Sequence, residues 1–93
     1  MMSSQAAEVL AIEAVTWLIS KDDLFPIFLN NSGADIADFQ SRLTDPVFLG
    51  HVMDFILSAD EFVLECAQQT QSNPQKFWEA RQMLPGGELM NWT

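Results

Sequence analysis

The stretch DPVFLGHVMDFILSAD, residues 45–60, is the most apolar run of the chain, and the fold is predicted outward from it. Asp45 followed by Pro46 predicts an N-cap and a first helical position, because proline has no N–H to lose there and its φ already suits a helix. Apolar side chains then recur at helical spacing, namely Phe48, Val52, Phe55, Ile56 and Ala59, widened by Leu49, Met53 and Leu57. A helix this apolar is expected to be central, with neighbours on most sides.

Five further helices are predicted from cap residues and apolar periodicity. Their expected spans are about 5–20, 24–31, 36–43, 61–70 and 74–84, with caps at Ser4, Asp23, Asp35, Asp60 and Asn73, an irregular first turn being the alternative to the Asp23 cap. The inward side chains are expected to be Ala6, Leu10, Ala14, Trp17, Leu18, Phe25, Phe28, Leu29, Ile36, Phe39, Leu43, Phe62, Val63, Cys66, Ala67, Phe77, Trp78, Arg81 and Leu84. No segment alternates with period two, so the fold class is all-α, a compact bundle of about six helices.

The two halves of the chain resemble each other when one is shifted by about 38 residues. The shift places Trp17 on Phe55, Ser20 on Ser58 and several cap residues on cap residues, although identities are few. We therefore expect two repeated units, each a long helix followed by two short ones, packed face to face. Such a duplication explains a fold and indicates no activity.

Length and composition predict one domain over residues 1–93, with residues 1–4 frayed and residues 88–93 forming a C-terminal tail. The chain has 48% apolar residues, which is ample for a core and excludes a disordered chain. Thirteen acidic residues against four basic ones give a net charge of −9. Because phosphate binding needs a basic face, nucleic acid is not expected as a partner.

The chain contains a single cysteine, Cys66, and a single histidine, His51. One cysteine cannot form an internal disulfide, and the pair leaves no recognisable zinc spacing, so no metal or cofactor is expected. The N-terminus lacks the basic region of a leader peptide, and no apolar run approaches the length of a membrane span. The expected location is the cytoplasm, with no membrane partner.

At the central helix the chain resembles a family of small bacterial helical proteins catalogued as a domain of unknown function. The resemblance extends over about residues 9–87 and is carried by apolar pattern and caps. Its residues are Asp45-Pro46, Phe48-Leu49, Met53-Asp54-Phe55-Ile56-Leu57, Asp60-Glu61 and Leu84-Pro85-Gly86-Gly87. It implies an all-helical cytoplasmic protein, and it carries no catalytic residues that could be transferred to this chain.

His51, Asp54 and Ser58 lie at i, i+3 and i+7 on one face of the central helix, which raises the question of a catalytic triad. Side chains on one straight helix rise in a row, whereas a triad needs three groups that converge on one point. We therefore interpret these residues as the solvated edge of a buried helix and predict no catalytic residue. The protein is not expected to be an enzyme.

The acidic pairs Asp22-Asp23 and Asp60-Glu61 suggest a hard-cation site that the repeat would make symmetric. All four residues lie where helices are predicted to begin, and carboxylates at that position satisfy free N–H groups and the helix dipole. Capping is therefore the preferred interpretation.

Cys66 is predicted to be a buried small apolar residue, and Arg81 to pair with an acid or to stack on an aromatic ring.

The C-terminal tail is the one segment that the sequence singles out for binding. Leu89, Met90 and Trp92 follow a helix stop and have no periodic partner, so they either fold back onto the bundle or present an apolar patch to another chain.

The leading hypothesis is a small acidic protein–protein interaction module, either a homodimer or an accessory subunit. The alternative is a small-molecule binder or enzyme with a pocket between the two units, lined by Trp17, Phe55 and Phe77. A nucleic-acid mimic is a weaker third idea.

Overall fold

The computed structural model describes residues 2–33 and 35–84, and this part of the chain forms six helices and no strand. The helices are α1 Ser4–Ile19, α2 Phe25–Ser32, α3 Ile36–Ser41, α4 Pro46–Leu57, α5 Asp60–Thr70 and α6 Gln75–Met83. The predicted all-α bundle is therefore confirmed. None of these helices combines the length and the apolar character that crossing a bilayer demands.

Helix starts agree with the sequence where a short polar side chain precedes the helix. Asp35 accepts a hydrogen bond from the Asp38 N–H at 2.8 Å, Asp45 from the Val47 N–H at 3.0 Å, and Asn73 from the Gln75 N–H at 2.9 Å. Because these bonds satisfy amides that lack an intrahelical partner, they set the starts of α3, α4 and α6.

Three predicted caps are wrong, and Asn73 lies one residue before Pro74, the N-cap of α6, although its side chain still accepts from the Gln75 N–H. Ser3, one residue earlier than expected, caps α1 through a bond from the Ala6 N–H, so Ser4 is the first residue of α1. Asp60 is the first residue of α5, after Ala59, where its charge still favours the helix N-terminus. The N-cap of α2 is Leu24 rather than Asp23, so Pro26 falls within the first two helical positions, where its missing N–H costs nothing.

Asp45 provides a direct test of the capping argument. Asp45→Ala should lower the free energy of unfolding by about 1 kcal/mol, because the Val47 N–H loses its acceptor. Urea unfolding followed by circular dichroism would measure it. Asp22→Ala is the matched control, because no side chain caps α2. An equal effect of both substitutions would contradict the role given to Asp45.

The core lies between α1 and α4, the two longest helices, which pack together as predicted. Helices α5 and α6 each pack on both of them, whereas α2 packs mainly on α4. The buried apolar side chains are Ala7, Leu10, Ala11, Ala14, Val15, Trp17, Leu18, Phe28, Phe39, Phe48, Leu49, Val52, Met53, Ile56, Val63, Cys66, Ala67, Phe77, Ala80 and Leu84. Small residues on α1, three of them alanines with no exposed area, let the neighbouring helices approach closely.

An aromatic cluster joins α2 and α3 to α4. Phe39 meets Phe25, Phe28 and Phe48 edge to face, with ring centroids 5.0, 6.0 and 5.3 Å apart. Phe28 also meets Phe55 at 5.4 Å. This edge-to-face geometry is the one that aromatic quadrupoles favour, and it holds the short helix α3 on the bundle.

The structure supports the internal repeat with local geometry. Helices α1 and α4 end at residues that the shift aligns, Ile19 and Leu57, and a serine hydroxyl then donates to the carbonyl three residues before it in both units. The two residues with positive φ in the described part of the chain, Gly33 at 73° and Gln71 at 56°, are also aligned. The units nevertheless pack differently, because α5 and α6 both contact α1 and α4 whereas α3 reaches the core mainly through Phe39.

Three residues expected to face inward lie at the surface. Ala6 is exposed because the inner face of α1 is centred on Ala7. Ile36 is 59% exposed because the six-residue helix α3 buries only Phe39. Trp78 is 45% exposed and lies with Leu64 in a shallow depression on the outside of α5 and α6.

Candidate functional site

His51, Asp54 and Ser58 lie along α4 without converging. The Asp54 carboxylate accepts hydrogen bonds from Arg81, whose Nε lies 2.5 Å from Oδ1 and whose Nη2 lies 3.1 Å from Oδ2. The Ser58 hydroxyl donates to the Phe55 carbonyl. Each polar group of the supposed triad is therefore committed elsewhere or exposed, and no relay from acid to base to nucleophile is present among them.

Arg81 is the only buried charged residue in the described part of the chain, with 7% of its surface exposed. The expectation that it pairs with an acid is met by Asp54, which it reaches from α6 with two parallel hydrogen bonds. Its Nη1 also donates to the Leu84 carbonyl at 3.5 Å, one of the acceptors left free at the end of α6. The pair ties α6 to α4 and holds the Asp54 carboxylate in one orientation.

The α2–α4 groove, the first concave surface, lies beside this ion pair. It has a volume of about 420 Å³ and is lined by Phe28, Asn31, His51, Asp54 and Phe55. Two phenylalanine rings and three polar side chains therefore contribute to its lining. Sequence reasoning placed His51 and Asp54 together but missed Asn31, which only the packing of α2 on α4 brings to this groove.

The pocket expected between the two units is not formed by the predicted residues. Phe77 has no exposed surface, Trp17 is 4% exposed, and Phe55 lines the α2–α4 groove instead. The Phe62 ring lies between those of Trp17 and Phe55, with its centroid 6.4 Å from Trp17 and 5.7 Å from Phe55. In the described part of the chain, the predicted residues Trp17, Phe55 and Phe77 therefore do not line a common cavity.

A second concave surface, which we call the α1–α5 groove, consists of two depressions along α1 that share Glu13. Its far wall is the C-terminal end of α5 in the smaller depression and residues between 71 and 76 in the larger one. The larger, about 550 Å³, is lined by Met2, Ala6, Val9, Leu10, Glu13, Gln71, Ser72, Asn73 and Lys76. The smaller, about 250 Å³, is lined by Glu13, Thr16, Trp17, Ser20, Gln69 and Thr70. Together they follow α1 from Ala6 to Ser20, a length of roughly 21 Å at 1.5 Å per residue.

The α1–α5 groove is electronegative at its centre. The Glu13 carboxylate is exposed and has no ion-pair partner among residues 2–33 and 35–84. Helix α5 ends at Thr70 beside it, and the C-terminus of a helix carries a partial negative charge. The basic residues at the ends of the groove are already engaged, Lys21 with Glu65 at 2.5 Å and Lys76 with Glu79 at 3.8 Å.

An exposed apolar stripe, Val9, Ile12 and Ile19, runs along α1 beside this groove. These three side chains are 54%, 47% and 46% exposed, and Thr16 lies between the last two at helical spacing. The stripe carries no charge over three turns. The sequence analysis missed it, although its spacing of three, four and three residues was present in the sequence.

Cys66 lies on the inner face of α5 with no exposed surface, as predicted. Burial, followed by the charges of Glu13 and Glu65, raises the pKa of the thiol from 9.0 to about 12. A thiol with so high a pKa contains almost no thiolate at neutral pH, and the thiolate is the nucleophilic form, so a structural role fits Cys66 better than a catalytic one.

Alkylation tests this assignment. At pH 8 the folded protein should react with iodoacetamide at least a hundredfold more slowly than the urea-unfolded chain, because both burial and the raised pKa suppress the thiolate. Intact-mass spectrometry over time would follow the reaction. Rapid modification of the folded protein would show that the Cys66 thiol is accessible and that the inner face of α5 is not packed against the core.

Two other sequence hypotheses concern acids and the tail. Residues 2–33 and 35–84 contain no cluster of three potential metal ligands, and the acidic pairs Asp22-Asp23 and Asp60-Glu61 do not come together in one. Leu89, Met90 and Trp92 lie outside the described residues, so the hypothesis that they bind a partner stays a prediction.

Fold and surface together define a small all-α protein with two shallow grooves and an exposed apolar helix face. The chain belongs to the family described as "Protein of unknown function (DUF3572)", whose model matches residues 4–87. This match confirms the resemblance to a domain of unknown function. Neither a curated protein nor a solved structure matches the chain.

Proposed function

We propose that this protein is an acidic protein–protein interaction module that binds its partner through α1. The observation that carries the proposal is the uncharged stripe Val9, Ile12 and Ile19, each side chain about half exposed on one face of the longest helix. A soluble domain gains nothing from holding three large β-branched side chains in water at helical spacing. Covering them with another chain would recover the free energy of apolar burial.

The charge distribution favours a different protein over a second copy as the partner. Glu8 and Glu13 flank the stripe on α1, and the chain carries a net charge of −9. Two copies packed through α1 would bring four carboxylates together, and like charges at an interface oppose association. An accessory role for a basic partner, in the cytoplasm, is therefore the form of the proposal that we prefer over a homodimer.

The proposal is tested by capture from cell lysate with matched variants. Val9→Ser/Ile12→Ser removes the apolar stripe, and Ile27→Ser/Ile36→Ser removes two equally exposed side chains on α2 and α3. We expect a stoichiometric partner that the first variant loses and the second keeps. A third protein lacking residues 88–93 tests the separate prediction that Leu89, Met90 and Trp92 bind the partner.

Two results would contradict the proposal. A partner retained by Val9→Ser/Ile12→Ser would place the interface elsewhere on the molecule. A concentration-dependent dimer in sedimentation equilibrium that the same variant abolishes would replace the heterologous partner with a second copy.

The α2–α4 groove supports a second candidate function, the binding of a small molecule. Its volume of about 420 Å³ and its combination of two aromatic rings with a few polar groups are typical of ligand sites. Phenethylamine, with one aromatic ring and one cation, is a suitable probe for ¹H–¹⁵N NMR titration. Amide shifts at Asn31 and His51 that Asn31→Ala weakens would support this function, and unmoved resonances at millimolar probe would argue against it.

A further inference from the structure

We propose that the α1–α5 groove selects an amphipathic helix that carries one basic side chain with an apolar side chain four residues to each side. The inference rests on the proposed function and goes beyond it, because it assigns the partner segment a sequence pattern. Three features of the groove carry it: its length, its central charge and its two depressions.

The length and shape of the groove suit a helix. A ligand helix laid alongside α1 has the same rise of 1.5 Å per residue, so its side chains fall in step with those of α1 over several turns. The groove spans about 21 Å from Ala6 to Ser20, which corresponds to roughly four turns. Laying the apolar face of an amphipathic helix into a groove is one of the recurring modes by which proteins bind helical segments.

The charge at the centre of the groove specifies a basic residue. Glu13 belongs to both depressions and has no ion-pair partner in the described part of the chain. The C-terminus of α5 at Thr70 adds its partial negative charge on the opposite wall. An arginine or lysine reaching this point would meet the Glu13 carboxylate and the negative end of the α5 dipole, whereas an acid would be repelled by both.

The positions of the two depressions determine where the ligand helix needs its apolar side chains. On α1, Val9 lies four residues before Glu13 and Trp17 lies four residues after it, one in each depression. Apolar side chains four residues before and after the basic residue of the ligand would therefore cover both. The larger depression, at the Val9 end, accommodates the bulkier of the two apolar side chains of the ligand.

The test uses the full-length protein and a displayed helix library. An alanine-rich helix of about 18 residues, chosen because alanine favours the helix, is randomised at one central position and at the positions four residues before and after it. Selection on the wild-type protein should enrich arginine or lysine at the centre and apolar residues at the flanks. Selection on Glu13→Arg should enrich aspartate or glutamate at the centre instead.

A matched control separates a local charge contact from the field of the whole protein. An enriched peptide should bind Glu13→Arg about tenfold or more weakly in fluorescence anisotropy. Glu8→Arg makes the same charge change on the same helix outside both depressions, and it should weaken binding less than threefold at 0.15 M salt because of screening. Circular dichroism of both variants checks that the fold is unchanged.

The outcomes distinguish this inference from the function on which it rests. Enriched helices with no charge preference at the centre, bound equally by Glu13→Arg, would overturn the inference while leaving a helix-binding module. Failure to enrich any helix would also overturn it. The lysate experiment with Val9→Ser/Ile12→Ser needs no helical ligand and decides the proposed function separately.

Discussion

Replacement of Phe39 by alanine is expected to lower the free energy of unfolding by roughly 4 kcal/mol. Phe39 is 2% exposed and is the one residue by which α3 enters the core. The substitution removes a buried ring, leaves a cavity and abolishes three edge-to-face contacts. Because the stability of a small domain is about 5–15 kcal/mol, much of it would be lost.

Urea unfolding measured by circular dichroism would quantify the Phe39 effect. Ile36→Ala is the matched control on the same helix, and it should change stability by less than about 0.5 kcal/mol because Ile36 is 59% exposed. If Phe39→Ala does not fold, Phe39→Leu provides a milder version. An unchanged midpoint for either Phe39 variant would show that α3 does not pack on the core.

The repeat offers a second comparison for the same residue. Phe77 aligns with Phe39 and is buried completely, but it has no ring contact among the described residues. Phe39→Leu should therefore cost more than Phe77→Leu, by about the 0.5–1.5 kcal/mol that an aromatic pair contributes beyond burial. Equal costs would mean that the aromatic cluster contributes only its apolar area.

The ion pair between Asp54 and Arg81 should respond asymmetrically to mutation. Asp54→Ala is expected to cost about 2 kcal/mol, because it leaves a guanidinium that is 7% exposed without both of its carboxylate bonds. The cost stays below that of a fully buried pair, since the Asp54 side chain is 40% exposed and water can enter. Arg81→Met should cost less than Asp54→Ala, because it removes the buried charge itself and keeps most of the side-chain volume.

A double-mutant cycle measures the interaction free energy between Asp54 and Arg81. We expect Asp54→Ala/Arg81→Met to be about as stable as Arg81→Met alone, so that the two single effects are not additive. Thermal and urea unfolding of the four proteins would measure this. Additive effects, or a larger loss for Arg81→Met than for Asp54→Ala, would show that Arg81 stabilises the bundle mainly through contacts other than Asp54.

The sequence by itself determined the six helices and those of their starts at which a short polar side chain bonds the first free amides. The Asp45-Pro46 start, the Asp35 and Asn73 caps and the left-handed residue Gly33 all follow from contacts within about four residues of chain. Because the residues in such contacts are close together in sequence, these contacts can be predicted without knowing which distant residues pack nearby. The repeat can be predicted in the same way, because both units have helix ends, serine hydrogen bonds and positive-φ residues at aligned positions.

Only the tertiary structure decided which parts of these helices are left uncovered. Apolar periodicity marks a face as suited to burial but does not say whether a neighbour covers it, so Ile36, Trp78 and the stripe with Ile12 lie exposed. The pairing of Asp54 with Arg81 and the central position of Glu13 in the α1–α5 groove likewise join residues from different helices. Those placements depend on how six helices share one core, which is a property of the whole packing and not of any single segment.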